Sequence, residues 1–101
     1  MDPERISDFN ISDVVRSTAG RDEGKLFYVI GTDPVYLLLA NGKDRTLDKP
    51  KRKKRKHIQK VLRSETRVAE KLRLGDKVLN SELRRDLDEL VQTMQSNNLG
   101  G

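Results

Sequence analysis

The chain has 101 residues, of which 34% are apolar and 4% aromatic, so it supports one small core and no deep substrate cleft. It contains no cysteine and a single histidine, His57, which excludes disulfide scaffolds, thiolate catalysis and most structural zinc sites. No apolar run resembles a signal peptide or a membrane span. We therefore expect a cytoplasmic protein that is not an enzyme and that has no cofactor, no membrane contact and no small-molecule substrate.

The positive charge is concentrated in one segment. Lysine and arginine total 21 against 16 acidic residues, for a net charge of +5. Residues 43–63 contain eleven basic residues and only two acidic ones, so this segment carries +9 and the rest of the chain −4. Because each buried charge would require a partner, the segment must face water or a polyanion. Nucleic acid is the polyanion that best offsets the repulsion, since its phosphates release condensed counterions; a solvated loop is the alternative.

The first part of the chain has the pattern of short strands joined by tight turns. Strands are predicted at residues 11–16, 26–30, 35–40, 43–47 and 57–62. Gly20 and Gly24 lie in a predicted loop at residues 17–25, and Asn41-Gly42 predicts a two-residue hairpin turn before the fourth strand. Five short strands are too few for a two-sheet sandwich and favour a small, strongly bent barrel.

Residues 64–95 change to helical periodicity. Ser64 is the predicted N-cap of a first helix, and Gly75 is its left-handed C-terminal residue. Asn80 or Ser81 caps a second helix with an amphipathic stripe. The stripe consists of Leu83, Leu87, Leu90, Val91 and Met94. It packs on the barrel, associates with a second copy, or docks a partner protein.

The predicted fold class is therefore α+β, with three regions. Residues 1–63 form the barrel with the basic segment, residues 64–95 form a helical hairpin, and residues 96–101 form a disordered, polar tail.

Residues 13–25 and the strand after them resemble the KOW motif of ribosomal and transcription-associated proteins. They read Asp-Val-Val-Arg-Ser-Thr-Ala-Gly-Arg-Asp-Glu-Gly-Lys and are followed by Phe27 and Val29. The motif is a strand with alternating valines, a loop with a central glycine, and a second glycine, here Gly24, before the next strand.

The resemblance extends beyond this motif. Asp33, residues 36–42, Arg45 and residues 49–57 are similar to the archaeal and eukaryotic large-subunit ribosomal protein family numbered fourteen, and to the short KOW-type RNA-binding proteins of Gram-positive bacteria. It covers about residues 9–62, and the helical part fits the bacterial short form better.

The resemblance implies an SH3-like barrel that binds RNA, above all structured ribosomal RNA, with ribosomal or translation proteins as further partners. In the loop it implies contacts from Ser17, Gly20, Arg21 and Lys25, which carry hydroxyl, backbone N–H, forked and point-charge donors for phosphate. The remaining candidate RNA contacts are Arg45, Lys49, Lys51, Arg52, Lys53, Lys54, Arg55, Lys56 and His57.

Stacking on bases is expected to be minor. Of the four aromatic residues, three lie in predicted strands and fit a core, and no aromatic pair of the RRM kind is present. We therefore expect recognition of folded or duplex RNA through its phosphates and shape.

Two other functions fit the sequence. One is a protein–protein adaptor whose helical hairpin docks on a translation or transcription factor. The other is a nuclear localisation signal at residues 50–56, although this run leads directly into a predicted strand. The leading interpretation is a non-enzymatic, ribosome-associated RNA-binding protein.

Overall fold

The computed structural model describes residues 9–100, and the side chains of residues 9–95. It has an α+β fold with five strands, two α-helices and a 3-10 turn at Arg55–His57. The elements are β1 (Asp13–Ser17), β2 (Leu26–Thr32), β3 (Tyr36–Ala40), β4 (Lys51–Lys54), β5 (Ile58–Arg63), α1 (Arg67–Leu74) and α2 (Asn80–Gly100). Among the described residues, neither helix combines the length and the apolar character that crossing a membrane requires.

The five strands form one antiparallel sheet in the order β4-β3-β2-β1-β5. Only the 3-10 turn joins β4 to β5, although these strands lie at opposite edges. Four residue steps span at most about 14 Å, whereas a flat five-stranded sheet is about 19 Å wide, so the sheet must curl. Over residues 9–100 the edges β4 and β5 do not pair with each other, and the sheet is therefore open.

Four of the five predicted strands are present, but the fourth is not. Residues 43–47 belong to a loop, and the strand that pairs with β3 is β4, inside the basic run. The side-chain oxygen of Asn41 accepts hydrogen bonds from the backbone N–H groups of Lys43 and Arg45, at 2.9 and 3.0 Å, and folds the chain into a local turn. Gly42 lies against α2, where a Cβ atom would come within 2.2 Å of the Asn80 carbonyl oxygen. A simple hairpin is therefore replaced by a loop that packs under the helix.

The sheet has an apolar cluster on each face because its strands alternate. The inner cluster consists of Val15, Phe27, Val29, Leu37, Leu39 and Ile58, with Phe9 packed against it. On the outer face, Val14, Tyr28 and Ala40 pack against residues of both helices. The helices and the sheet thus share the outer cluster, whereas the inner cluster is built by the strands with Phe9.

Helix α1 ends at the predicted residue but has a different N-cap. The N-cap of α1 is Thr66 rather than Ser64, and its hydroxyl accepts from the Ala69 N–H at 3.2 Å. Gly75 is the left-handed C-cap at φ +76°, as predicted.

The first half of the apolar stripe of α2 packs on the sheet, which is the first of the three alternatives. Leu83 and Leu87 are buried in the outer cluster. The backbone of α2 is helical to Gly100, past the predicted limit at residue 95. The predicted tail, residues 96–101, lies outside the part of the chain whose side chains are described.

A hydroxyl network ties the helices to the sheet. The buried Tyr28 hydroxyl lies 2.8 Å from the Ser64 hydroxyl and donates to the Asp86 carboxylate of α2. Thr66 donates to the same carboxylate at 2.8 Å. Burial first, and then the hydrogen bond to Asp86, raise the pKa of Tyr28 to about 12. One side chain of β2 therefore connects the start of α1 with α2.

We predict that Tyr28→Phe lowers the free energy of unfolding at pH 7 by about 1–3 kcal/mol, because Asp86 and Ser64 lose a buried partner. A raised phenol pKa stabilises the fold below the unfolded value of about 10, and this stabilisation is lost between pH 10 and pH 12. Urea unfolding of both proteins from pH 7 to 11.5 should show their difference shrinking above pH 10. A constant difference would contradict the assignment.

We predict that Gly42→Ala is more destabilising than Gly24→Ala, although both glycines have positive φ values, +76° and +88°. At Gly24 the added methyl group meets nothing within 4 Å, so only the backbone cost of about 1–2 kcal/mol applies. At Gly42 it also collides with the backbone of α2. Urea unfolding measures both, and equal losses would mean that the loop does not press against α2.

Candidate nucleic-acid interface

The centre of the basic run is a β-strand. In register with β3, Lys51 lies opposite Leu39, Arg52 opposite Leu38, Lys53 opposite Leu37 and Lys54 opposite Tyr36. Lys51 and Lys53 therefore share the inner face of the sheet and are half-buried, whereas Arg52 and Lys54 are exposed on the outer face. The run consequently directs its cations alternately to two sides of the sheet edge.

Lys53 joins the basic strand to the loop at residues 18–25. Its Nζ donates to the Ala19 carbonyl at 2.7 Å, and the Thr18 N–H donates to the His57 carbonyl at 2.9 Å. Gly20 lies directly under Lys53, since a Cβ atom there would be 3.2 Å from the ammonium. The two segments that the sequence assigned to RNA are therefore in contact.

The other end of this loop is neutralised by an acid–base cluster of four side chains: Asp22, Lys25, Asp44 and Arg45. Arg45 Nη2 lies 3.2 Å from the buried Asp22 carboxylate, and Lys25 Nζ lies 2.5 Å from Asp44. The hydrogen bond from Lys25, followed by one from Asn41, lowers the pKa of Asp44 to about 2, and the same hydrogen bond raises the pKa of Lys25. Lys25 and Arg45 are predicted RNA contacts, and both are already paired with carboxylates of the same chain.

Ser17 does not present its hydroxyl to a ligand in this structure. The residue is buried, its Oγ donates to the Ala19 carbonyl at 3.0 Å, and its backbone N–H donates to the Lys25 carbonyl. From the sequence we expected Ser17 to contact phosphate, whereas in the structure its hydrogen bonds shape the loop.

The basic run continues through the 3-10 turn. Arg55 Nε donates to the Asp33 carbonyl at 2.9 Å, Lys56 is exposed, and His57 is half-buried. The remaining candidates, Arg21 and Lys49, are exposed on the loops.

Four of the five side chains of residues 52–56 form what we name the basic edge: Arg52, Lys54, Arg55 and Lys56. Lys53 is left out because it lies on the inner face and donates to the Ala19 carbonyl. Within the described residues, none of these four has a carboxylate oxygen within 4 Å. The neighbouring Asp33 accepts from the Tyr36 and Val35 N–H groups, and these backbone hydrogen bonds lower its pKa, with smaller contributions from Arg52 and Arg55. The basic edge therefore keeps its charge available.

Two aromatic side chains make three cation–π contacts that the sequence did not reveal. The Arg52 guanidinium lies 3.9 Å from the centroid of the Tyr36 ring, on the outer face. Phe9 packs on the inner cluster between Arg55 and Lys60, at 5.8 and 5.6 Å. These contacts leave no signal in the local sequence, because they depend on which segments the fold brings together.

A scan against models of known protein families finds none that matches this chain, and a search of curated proteins finds no matching sequence. The function of the chain is therefore inferred from its own residues and contacts.

Proposed function

We propose that this protein is a non-enzymatic RNA-binding protein of the KOW type, associated with the ribosome, which neutralises RNA phosphates with its basic edge. The observation that carries the proposal is that some of the basic side chains are paired with carboxylates and others are not. The basic edge has no carboxylate partner among the described residues, whereas Lys25 and Arg45 are held by Asp44 and Asp22.

Lysines on an edge strand also prevent sheets from pairing edge to edge, and this is the simplest alternative role. One or two charges suffice for that purpose. Residues 51–56 are six consecutive basic residues, and their mutual repulsion opposes folding unless a polyanion relieves it. Phosphate binding accounts for the full run, whereas edge protection accounts for part of it.

The curved sheet supports an SH3-like fold of the KOW type. A three-residue 3-10 turn joins its last two strands. The Arg55 N–H of this turn donates to the Val35 carbonyl, and the His57 carbonyl accepts from the Thr18 N–H. The loop at residues 18–25 lies against the basic strand through Lys53, which is the combination that the KOW resemblance implies for an RNA-facing surface. That resemblance is also the reason for proposing RNA over DNA.

The adaptor function is the second candidate. It has less support because two of the five residues of its docking stripe, Leu83 and Leu87, are buried against the sheet. A nuclear localisation signal is not proposed, because such signals normally lie in flexible segments and residues 51–57 form a paired strand and a 3-10 turn.

We predict that the double variant Lys54→Gln, Lys56→Gln weakens binding to a fluorescein-labelled RNA hairpin by about 10- to 50-fold at 0.1 M salt, because two phosphate contacts are lost. The slope of log affinity against log salt should become shallower by about 1.4–1.8. Fluorescence anisotropy from 50 to 300 mM KCl measures both quantities.

The matched control is Arg67→Gln, Lys77→Gln, which removes two exposed positive charges outside the basic edge. It should leave the slope within error of the unmodified protein. Equal effects of the two double variants would show that only net charge matters and would remove the basic edge from the interface.

We predict that Asp44→Asn strengthens RNA binding, because it releases Lys25 from its carboxylate partner and returns one cation to the loop. The salt slope should steepen by about 0.7–0.9. Asp76→Asn, an exposed carboxylate in the connection between α1 and α2, changes the net charge equally and is the control. If both variants bind alike in the same anisotropy titration, Lys25 does not reach the RNA.

A further inference from the structure

The outer face of β3 and β4 combines an aromatic ring, an apolar side chain and cations. In the register of the two strands, Lys54 lies opposite Tyr36 and Arg52 lies opposite Leu38. Arg52 does not cover Leu38, which is 37% exposed. Its guanidinium instead lies over its diagonal neighbour Tyr36, at 3.9 Å from the ring centroid.

This distance has a consequence for the orientation of Arg52. A separation of 3.9 Å is close to van der Waals contact, as in a guanidinium stacked on the ring. Arg52 is an exposed residue, so the side chain that contacts the ring is also accessible to solvent. The ring thereby holds a planar cation in a fixed position on the protein surface. Arginine planes are surfaces on which unpaired RNA bases stack.

The surroundings of the Arg52–Tyr36 pair suit a nucleotide. Leu38 adds apolar surface beside it, and Gly31 of β2 makes room for Leu38, since a Cβ atom at Gly31 would lie 3.0 Å from Leu38 Cδ1. Lys54 and Arg55 follow in the chain and supply phosphate donors. A base-stacking surface and phosphate-binding cations are therefore adjacent on one edge of the sheet.

We propose that the Arg52–Tyr36 pair is a stacking site for one unpaired base in an otherwise folded RNA, with Lys54 and Arg55 on the neighbouring phosphates. This inference rests on the proposed RNA-binding function and specifies its substrate class. It also goes beyond the expectation from the sequence, in which folded or duplex RNA is recognised through its phosphates and shape and stacking on bases is minor. The bases of a continuous duplex are stacked on one another, so a perfect duplex cannot use this site.

The test uses two RNAs, a 16-base-pair duplex and the same duplex with one bulged 2-aminopurine. The unmodified protein should bind the bulged RNA about 5- to 100-fold more tightly, which is the effect of stacking one base. It should also raise the fluorescence of the 2-aminopurine, because the base leaves the neighbouring bases whose stacking quenches it. Anisotropy and fluorescence titrations measure the two effects independently.

Arg52→Lys separates stacking from charge, because lysine keeps the positive charge but lacks the plane. It should abolish both the preference for the bulged RNA and the rise in fluorescence. The preference is a ratio of two affinities of the same variant, so a change in phosphate affinity common to both RNAs cancels. Arg67→Lys, on the exposed surface of α1, is the matched control and should retain both. Urea unfolding of each variant establishes that it is folded.

The outcomes distinguish the two proposals. If the unmodified protein binds both RNAs equally, or if Arg52→Lys keeps the preference, Arg52 only packs on Tyr36 and the stacking site is refuted. If neither RNA binds with a salt-dependent affinity, the RNA-binding function itself fails.

Discussion

The backbone pairing of Lys51–Lys54 with β3 is the constraint on which the surface of the molecule depends. As a free loop, a run of like charges would sample many conformations, and each phosphate contact would carry an ordering cost. As a strand, it presents alternate side chains on one face about 7 Å apart. The half-buried stems of Lys51 and Lys53 lie on the same face as Leu39 and Leu37, where their methylene groups add apolar contact. Pairing with an apolar neighbour thus offsets part of the repulsion within the run.

The second constraint is the short connection between opposite edges of the sheet. Because only residues 55–57 join β4 to β5, the sheet curls around the inner cluster, and its outer face is left for the helices. Phe9 packs against that inner cluster close to Arg55 and Lys60, where the edges approach. The same curl brings the 3-10 turn against Thr18, so the loop and the basic edge become neighbours. The shape of the core and the position of the cations therefore have a common cause.

Much of this fold could be predicted from periodicity and turn residues, and the failures have identifiable physical reasons. Strands β1, β2, β3 and β5 and the stripe of α2 carry apolar patterns that local sequence shows directly. Strand β4 has no such pattern, since its four residues are all basic and its pairing is determined by β3. The Asn41-Gly42 hairpin signal was overridden by a contact with Asn80, which is distant in sequence. The basic run was identified as the candidate site, but the pairing of Lys25 with Asp44 and the stacking of Arg52 on Tyr36 depend on tertiary proximity.

Under the proposed function, the internal ion pairs give RNA a single direction of approach to a small protein of modest net charge. Surface charges separated by more than about 10 Å are largely screened at ordinary ionic strength, so local charge matters more than the total. If Lys25 and Arg45 were free, the positive field would extend around the loop and RNA could approach from several sides. Because Asp44 and Asp22 neutralise them, the field is concentrated at the basic edge. In the proposed complex the two aspartates would oppose binding at the loop and leave the basic edge as the binding surface, which a uniformly basic surface of the same size could not do.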